Sequence, residues 1–283
     1  HTAGVSHASW SPDGSRIVTV SRDKSVRLWD ATSGVGLTLL EVQEGIPAYS
    51  EWSRSGNGLL VVHPRGVYVW DYSPEPEVLE SLSLRLIFDE HTDTLTYATW
   101  SPDGRRILSI GDDGAHIWDA QDGRQLVQLP EGASGAPHAA WSPDGTRILT
   151  TGDTVRIWDA ETGRTLLVLS GHYGPVDFAA WDATGTLILS ASWDTIARVW
   201  DAFSGKTLAV VSGYFDSMRH AVWSPDNTQF VTTSWGGPVR VFDVPLGESP
   251  EMACVIAVRN LTVEEWEAYL VDQPYRRTCP NLP

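Results

Sequence analysis

Cysteine is scarce in this sequence of 283 residues, where only Cys254 and Cys279 occur. Their spacing fits neither a Cys-x-x-Cys pair nor a Cys–His zinc pattern, so we expect no disulfide framework and no cysteine-bound structural zinc. The sequence leaves open whether the two thiols interact. This cysteine usage favours a reducing cytosol.

Long apolar runs are also missing. No stretch approaches the eighteen apolar residues of a membrane-spanning helix, and no basic segment precedes an apolar one at the start, so we expect neither a membrane span nor a signal peptide. Hydrophobic residues still make up 42% of the chain, which at this length suffices for a buried core.

Positive charge is the third shortage. Lysine and arginine total 20 against 36 aspartates and glutamates, which leaves a formal net charge of −16. Such a field repels phosphate backbones and anionic lipids. We therefore expect no nucleic-acid partner and no membrane partner.

Methionine is rare as well, with two residues, whereas tryptophan occurs 14 times. Six tryptophans follow one another at intervals of 42, 48, 41, 40 and 42 residues. The members of this first series are Trp10, Trp52, Trp100, Trp141, Trp181 and Trp223. A fixed period of this length indicates one structural unit repeated six times.

A second series runs in step with the first, and each member is followed by aspartate. Its members are Trp29, Trp70, Trp118, Trp158, Trp200 and Phe242. Between the two series lies the turn sequence Ser-Pro-Asp-Gly in three repeats, at 11–14, 101–104 and 142–145. A second Gly-containing turn follows four of the Trp-Asp pairs. The segments between turns are short and rich in β-branched residues, which predicts four strands per unit.

These residues resemble the WD40 family, whose repeats of about 40–45 residues each form a four-stranded blade of a β-propeller. The resemblance implies an all-β fold over residues 1–247, as a six-blade ring or part of a larger ring. The expected repeats are approximately 1–42, 43–90, 91–131, 132–170, 171–213 and 214–247.

The family resemblance also implies a hydrogen-bonded network of His, Ser or Thr, Asp and Trp in each blade. The positions are filled in repeat one by His1, Thr19, Asp23 and Trp29, in repeat three by His91, Ser109, Asp113 and Trp118, and in repeat five by His172, Ser190, Asp194 and Trp200. Even repeats depart from it, with Gln43 in repeat two, Gly132, Thr150 and Asp153 in repeat four, and Tyr214, Gly236 and Phe242 in repeat six. We expect those blades to be held mainly by apolar packing, and more loosely.

The network accounts for every recurring His, Ser and Asp set that could be mistaken for a hydrolase triad. No Gly-x-Ser-x-Gly elbow accompanies these sets, so we expect no enzyme. No phosphate-binding Gly-x-x-x-x-Gly-Lys loop occurs either, and no cofactor is expected.

The two ends of the chain break the repeat. The first residue lies just before the first strand of a unit, so we expect a fragment of a longer protein. After Asp243 the sequence predicts a helical or extended tail, 248–283, that packs on the propeller; its run 252–258 is either a helix or the missing outer strand, and Trp266 lies on a second helix. This tail resembles the tails of bacterial WD40 proteins whose propeller follows a STAND (NACHT-like) NTPase, a kinase or a protease domain.

Two tryptophans outside both series, Trp193 and Trp235, occupy the same turn slot of repeats five and six. The resemblance places this slot on a face where partners dock. The same face is expected to carry Arg22, Asp112, Asp177, Ser217 and Arg219. Two aromatics beside an arginine have the composition of an interface hot spot, although the pair could instead cover neighbouring blades.

One further slot, three residues before the first-series tryptophan, holds rings in every repeat. The residues are His7, Tyr49, Tyr97, His138, Phe178 and His220. A slot shared by histidine and aromatics indicates inner-strand packing, so we expect no metal site there.

The sequence thus predicts a non-catalytic, cytoplasmic interaction or sensor platform. It would bind a protein or peptide and control an upstream effector or NTPase domain of a bacterial signalling or defence protein. The alternatives are a structural or oligomerising propeller and, less favoured, a ligand-binding or enzymatic propeller. The partner, the upstream domains, the number of blades and the oligomeric state stay open.

Overall fold

The computed structural model describes residues 1–41, 45–64, 66–73, 81–88, 91, 94–130, 136–212 and 216–244. In that part of the chain every regular element is a strand, 23 in all, arranged as five four-stranded sheets and one three-stranded sheet. The prediction of an all-β fold built from repeated sheets is therefore confirmed. Its closure into a ring stays a prediction.

The first three sheets follow the chain in order. Sheet one consists of β1 (Val5–Trp10), β2 (Arg16–Ser21), β3 (Ser25–Asp30) and β4 (Gly36–Glu41). Sheet two consists of β5 (Tyr49–Trp52), β6 (Gly58–His63), β7 (Gly66–Ser73) and β8 (Ser81–Phe88). Sheet three consists of β9 (Leu95–Trp100), β10 (Arg106–Gly111), β11 (Gly114–Asp119) and β12 (Gln125–Gln128).

The other three sheets repeat this order. Sheet four consists of β13 (Ala139–Trp141), β14 (Arg147–Thr150), β15 (Val155–Asp159) and β16 (Thr165–Leu169). Sheet five consists of β17 (Val176–Trp181), β18 (Leu187–Ser192), β19 (Ala197–Asp201) and β20 (Thr207–Val211). Sheet six consists of β21 (Met218–Trp223), β22 (Gln229–Ser234) and β23 (Arg240–Asp243).

Sheet six thus has three described strands where four were predicted. The run 252–258, one of two interpretations of which was a missing outer strand, lies outside the described residues. So do both cysteines, Trp266 and the whole predicted tail. No helix long and apolar enough to cross a membrane occurs in the part that the structure describes.

The chain divides into two compact units. Unit 1 comprises residues 1–152 and 156–166, and unit 2 comprises residues 153–155 and 167–283. Unit 1 therefore holds sheets one to three and most of sheet four, whereas unit 2 holds sheets five and six.

All six sheets share one cross-strand ladder, which explains the two tryptophan series. In sheet one Trp10 pairs with Ile17 and Ile17 with Trp29, so an aliphatic side chain on the second strand lies between two indoles. The corresponding triplets are Trp52–Leu59–Trp70, Trp100–Ile107–Trp118, Trp141–Ile148–Trp158, Trp181–Ile188–Trp200 and Trp223–Phe230–Phe242. Cross-strand pairs of this kind are the stabilising units of antiparallel sheets.

The hairpin between the first two strands is built by the Ser-Pro-Asp-Gly turn. The Gly14 N–H donates to Ser11 O at 2.9 Å, and Ser11 Oγ donates to Asp13 Oδ1 at 2.5 Å. Gly14 has a φ of 71°, a left-handed conformation that glycine adopts without steric cost. The same bonds recur at Gly104 and Gly145.

Within unit 1 the first-series tryptophans of sheets two to four each pack on the sheet before them. Trp52 contacts the apolar core of sheet one, Trp100 that of sheet two and Trp141 that of sheet three. These three indoles are 5–8% exposed, whereas Trp10 is 61% exposed. In unit 2 the Trp223 Nε1–H donates to Ala180 O at 3.2 Å, so sheet six packs on sheet five in the same way.

The turn between β18 and β19 places a β-branched residue in a strained conformation. Thr195 has a φ of 68°, a region that costs an L-residue other than glycine roughly 1–2 kcal/mol. Asparagine tolerates this region better. We expect Thr195→Asn to raise the free energy of unfolding by about 0.5–1 kcal/mol in urea titrations. Thr165→Asn, at an exposed strand position without positive φ, serves as control, and equal effects of both changes would contradict this explanation.

Candidate functional site

The structure brings the four network residues of repeat one together. His1 Nδ1 lies 3.0 Å from Asp23 Oδ2, and His1 Nε2 lies 2.7 Å from Thr19 Oγ1. The Trp29 Nε1–H donates to the same Thr19 oxygen at 2.8 Å. One hydroxyl therefore links a loop histidine to a tryptophan on the third strand.

Repeats three and five form the same network. His91 Nδ1 lies 2.7 Å from Asp113 Oδ1, and its Nε2 lies 2.6 Å from Ser109 Oγ, which accepts the Trp118 N–H at 2.7 Å. His172 Nδ1 lies 2.9 Å from Asp194 Oδ2, and its Nε2 lies 2.8 Å from Ser190 Oγ. The Trp200 Nε1–H donates to the same hydroxyl at 2.8 Å.

The charge states follow from the surroundings. Burial lowers the pKa of His172 against the opposing effect of Asp194, so the imidazole is neutral near pH 7. Burial raises the pKa of the Asp194 carboxyl, but hydrogen bonds from the Tyr173 N–H and His172 outweigh it and lower that pKa. A neutral imidazole that donates Nδ1–H to aspartate and accepts the serine O–H at Nε2 satisfies every group.

This geometry is unsuited to nucleophilic catalysis. The Ser109 and Ser190 side chains are fully buried, and both hydroxyls are engaged by a tryptophan and a histidine. A nucleophile must reach its substrate. In repeats three and five these residues therefore stabilise the sheets.

Among the even repeats, repeat four retains a fragment of the network. In repeat four the Trp158 Nε1–H donates to Thr150 Oγ1 at 2.9 Å. In repeat two the buried His63 ring instead packs edge-on against Tyr68 at 4.6 Å. Three positions that the sequence assigned here, Gln43, Gly132 and Tyr214, lie outside the described residues.

Removing a shared hydroxyl tests its contribution. Ser190→Ala leaves the buried Trp200 N–H and His172 Nε2 without this partner, and each unsatisfied group costs about 1–3 kcal/mol. We expect the free energy of unfolding to fall by about 2–4 kcal/mol in urea titrations. The exposed Ser204→Ala loses a bond to Asp201 and a long bond from the Lys206 N–H, both at the solvent-exposed surface, and should cost under about 1 kcal/mol. A Ser190 effect as small as that would contradict the assignment.

The predicted docking residues share a backbone contact that fixes the turn slot. In each case the slot residue's N–H donates to the carbonyl of the residue eighteen positions earlier, at 2.9–3.1 Å. The pairs are Arg22 to Gly4, Asp112 to Thr94, Trp193 to Pro175 and Trp235 to Ser217. All four slot side chains are exposed, the two indoles by 50% and 66%. Neither indole is therefore a core side chain.

In unit 2 four of the predicted residues are linked by contacts. Arg219 forms an ion pair with Asp177, and its guanidinium lies 5.3 Å from the centroid of the Trp235 ring. The Ser217 carbonyl accepts the Trp235 N–H at 3.0 Å. The sheet thus presents an indole with a stacked and oriented cation.

Sequence analysis missed one exposed aromatic at this edge. Tyr173 is 93% exposed, and its backbone N–H donates to Asp194 Oδ2 at 2.9 Å, next to Trp193. The signal available in the sequence was an aromatic residue directly after the network histidine His172. We call Tyr173, Asp177, Trp193, Arg219 and Trp235 the aromatic face of unit 2.

The inner-strand rings pack as the sequence predicted. In unit 1 the ring centroids of His7 and Tyr49 are 4.3 Å apart, those of Tyr49 and Tyr97 5.0 Å, and those of Tyr97 and His138 5.4 Å. In unit 2 those of Phe178 and His220 are 3.8 Å apart. Burial lowers the pKa of His220, which favours its neutral form.

A partly buried acid beside these rings was also missed. Glu51 Oε1 accepts the Thr99 hydroxyl at 3.2 Å, whereas its enclosed Oε2 has no hydrogen-bond partner. Burial raises the pKa of Glu51 from 4.5 to about 7, which exceeds the lowering by hydrogen bonds from Thr99 and Trp100. The alternation of polar and apolar residues along the strand could not reveal this carboxyl's raised pKa, because residues of the neighbouring sheet bury the carboxyl.

This raised pKa makes stability depend on pH. The folded protein holds the Glu51 proton more tightly than the unfolded chain, so the stabilisation is complete below pH 4.5 and is lost as pH rises through about 7. Relative to Glu51→Gln, we expect the wild type to lose about 3 kcal/mol of unfolding free energy between pH 4.5 and 8. Urea titrations at several pH values measure the difference, and parallel curves would exclude the effect.

Comparison with models of protein families gives a match. A family model described as WD domain, G-beta repeat, matches residues 1–30, 82–119, 128–159 and 163–201. No curated protein matches the chain. The matched segments include all three complete networks, whereas most of repeat two and all of repeat six, which lack a complete network, lie outside them.

Proposed function

We propose that this chain, which contains WD40 repeats, is a non-catalytic platform that binds a protein or peptide on its exposed turns. WD40 repeats in general act as interaction platforms. The observation that carries the proposal here is the aromatic face of unit 2, where three large rings are at least half exposed. Exposed aromatics beside an arginine are typical of interface hot spots.

The face is oriented before a partner arrives. The Asp177 carboxylate and the Trp235 ring hold the Arg219 guanidinium in place, although 44% of the Arg219 side chain stays exposed. Binding therefore costs less side-chain entropy at this position than at a free arginine. In unit 1 Arg22 and Asp112 occupy the equivalent slot, and we propose them as secondary contacts.

The charge distribution favours protein over nucleic acid as partner. The net charge of −16 repels polyanions over long distances, while one oriented arginine among exposed rings supports local contacts to a polypeptide. We propose no nucleic-acid or membrane partner for this face.

The wider biological context is part of the proposal. The resemblance of residues 259–280 to tails of bacterial multidomain proteins supports a sensor module that controls an upstream effector or NTPase domain in signalling or defence. The use of only two cysteines supports a cytoplasmic location. In this arrangement, the WD40 repeats at 1–247 would recognise the partner and the tail at 248–283 would pack on them.

A second candidate function is structural, through self-association. The observation that favours it is the Trp10 side chain, 61% exposed where its counterparts in sheets two to four are buried. An exposed indole at the end of a repeated packing pattern is a surface that another sheet could cover.

Substitution of the two slot tryptophans tests the interaction function. A partner is first captured from the native lysate and identified, and its affinity is then measured for purified variants by calorimetry. We expect Trp193→Ala with Trp235→Ala to weaken binding at least about 100-fold, because each hot-spot aromatic contributes roughly 2 kcal/mol or more. Thermal stability should change little, since both indoles are exposed.

The matched control is Phe203→Ala, an equally exposed ring of unit 2 in the turn after β19. It should bind as the wild type does. Undiminished affinity of the double variant would reject the aromatic face. Concentration-dependent self-association that Trp10→Ala abolishes, seen by light scattering, would favour the structural function.

A further inference from the structure

Three side chains of sheet three converge beside its network. They are His91, Asp113 and His116, and one ligand atom from each lies within 4.8 Å of the others. Asp113 Oδ1 bonds to His91 Nδ1 at 2.7 Å, and Asp113 Oδ2 lies 3.9 Å from His116 Nε2. The two imidazole centroids are 4.5 Å apart.

The orientation of His116 exposes a lone pair to the carboxylate. Its Nδ1 lies 3.1 Å from Gln125 Oε1, and because an amide oxygen only accepts, this nitrogen carries the proton. In the neutral imidazole Nε2 is then an acceptor, and it is buried without a hydrogen bond. Two acceptors that face each other in a buried site are unfavourable unless a cation lies between them.

The other complete networks have a permanent cation at this position. The residue two before the second-series tryptophan is Arg27 in repeat one and Arg198 in repeat five. Their guanidinium carbons lie 6.0 and 5.7 Å from the centroids of the Trp29 and Trp200 rings. In repeat three His116 stacks on Trp118 instead, with centroids 5.6 Å apart. Sheet three therefore has a side chain that can bind a metal ion where sheets one and five have an arginine.

The dimensions fit a metal ion. Zinc bonds to histidine nitrogen and carboxylate oxygen are each about 2.0–2.2 Å, so an ion between His116 Nε2 and Asp113 Oδ2 spans their 3.9 Å separation with a bent angle. A Cβ at Gly111 would come within 2.9 Å of Asp113 Oδ1 and 3.3 Å of His91 Nδ1. Glycine keeps the space beside both atoms free.

We propose that His91 Nδ1, Asp113 and His116 Nε2 bind a divalent transition-metal ion of the zinc class. His91 joins by a change of tautomer, in which the proton leaves Nδ1 and a proton on Nε2 donates to Ser109 Oγ. No net proton is released by His91. Gln125 is a positioning residue, because its amide holds the His116 ring with Nε2 toward the metal, as outer-shell partners do in metal sites.

The test is zinc binding by untagged protein freed of metal with a chelator. Competition with a chromophoric chelator gives affinity and stoichiometry, and cobalt absorption reports the coordination geometry. We expect one ion per chain and a rise in melting temperature on adding zinc. His116→Arg supplies the cation found in repeats one and five, so it should fold normally and bind zinc at least about 100-fold more weakly.

Two further variants separate this site from others. Gln125→Leu removes the positioning contact at an exposed strand residue and should weaken binding about 10- to 100-fold. His7→Tyr, in a slot where the neighbouring sheets have tyrosine, should bind zinc as the wild type does. These variants also decide the question if His116→Arg fails to fold.

Three outcomes would overturn the proposal. The first is no binding at micromolar zinc by the wild type. The second is equal zinc affinity of the wild type, His116→Arg and Gln125→Leu, which would place the ion elsewhere. The third is a nuclear magnetic resonance titration in which His116 is a stable imidazolium at neutral pH and zinc does not displace its proton. A proton, and not a metal ion, would then lie between His116 Nε2 and Asp113.

Discussion

One hydroxyl oxygen joins three separated segments in each complete network. Thr19, Ser109 and Ser190 each accept a tryptophan N–H from the third strand and lie within 2.6–2.8 Å of a histidine from the loop before the first strand. That histidine in turn orients an aspartate in the turn between the second and third strands. Because the second-series indole is held at its polar edge, its ring is fixed against the aliphatic residue of the central strand. The turn that exposes Arg22, Asp112 and Trp193 is positioned by the same bonds.

Much of this arrangement follows from local sequence. Period, turn composition and β-branched segments predicted the strands, since a Gly with positive φ and an alternating strand are properties of a few adjacent residues. The three complete networks followed from family resemblance together with fixed spacing. The exposed Trp193 and Trp235 were found because they fall outside both tryptophan series. Each of these features depends on residues within one repeat.

The features that sequence reasoning missed depend on contacts that neither the tryptophan period nor the family pattern marks. Glu51 has a raised pKa because burial outweighs the hydrogen bonds from Thr99 and Trp100 of the next sheet, which lower it. His116 is notable because Gln125 fixes its tautomer and Asp113 faces its free nitrogen. Neither pairing has a recognisable spacing. The division into two compact units around sheet four also has no mark in the tryptophan period.

The common ladder of the six sheets has a consequence for folding kinetics. Since an aliphatic or aromatic residue lies between two rings in every sheet, this ladder alone does not distinguish a strand's own repeat from another, and misassembly is a characteristic failure of repeat proteins. Discrimination must then come from what differs between sheets. The network is complete in repeats one, three and five and incomplete in repeats two, four and six. Neighbouring sheets therefore differ from each other. The departures from the repeat pattern thus favour correct over shifted assembly.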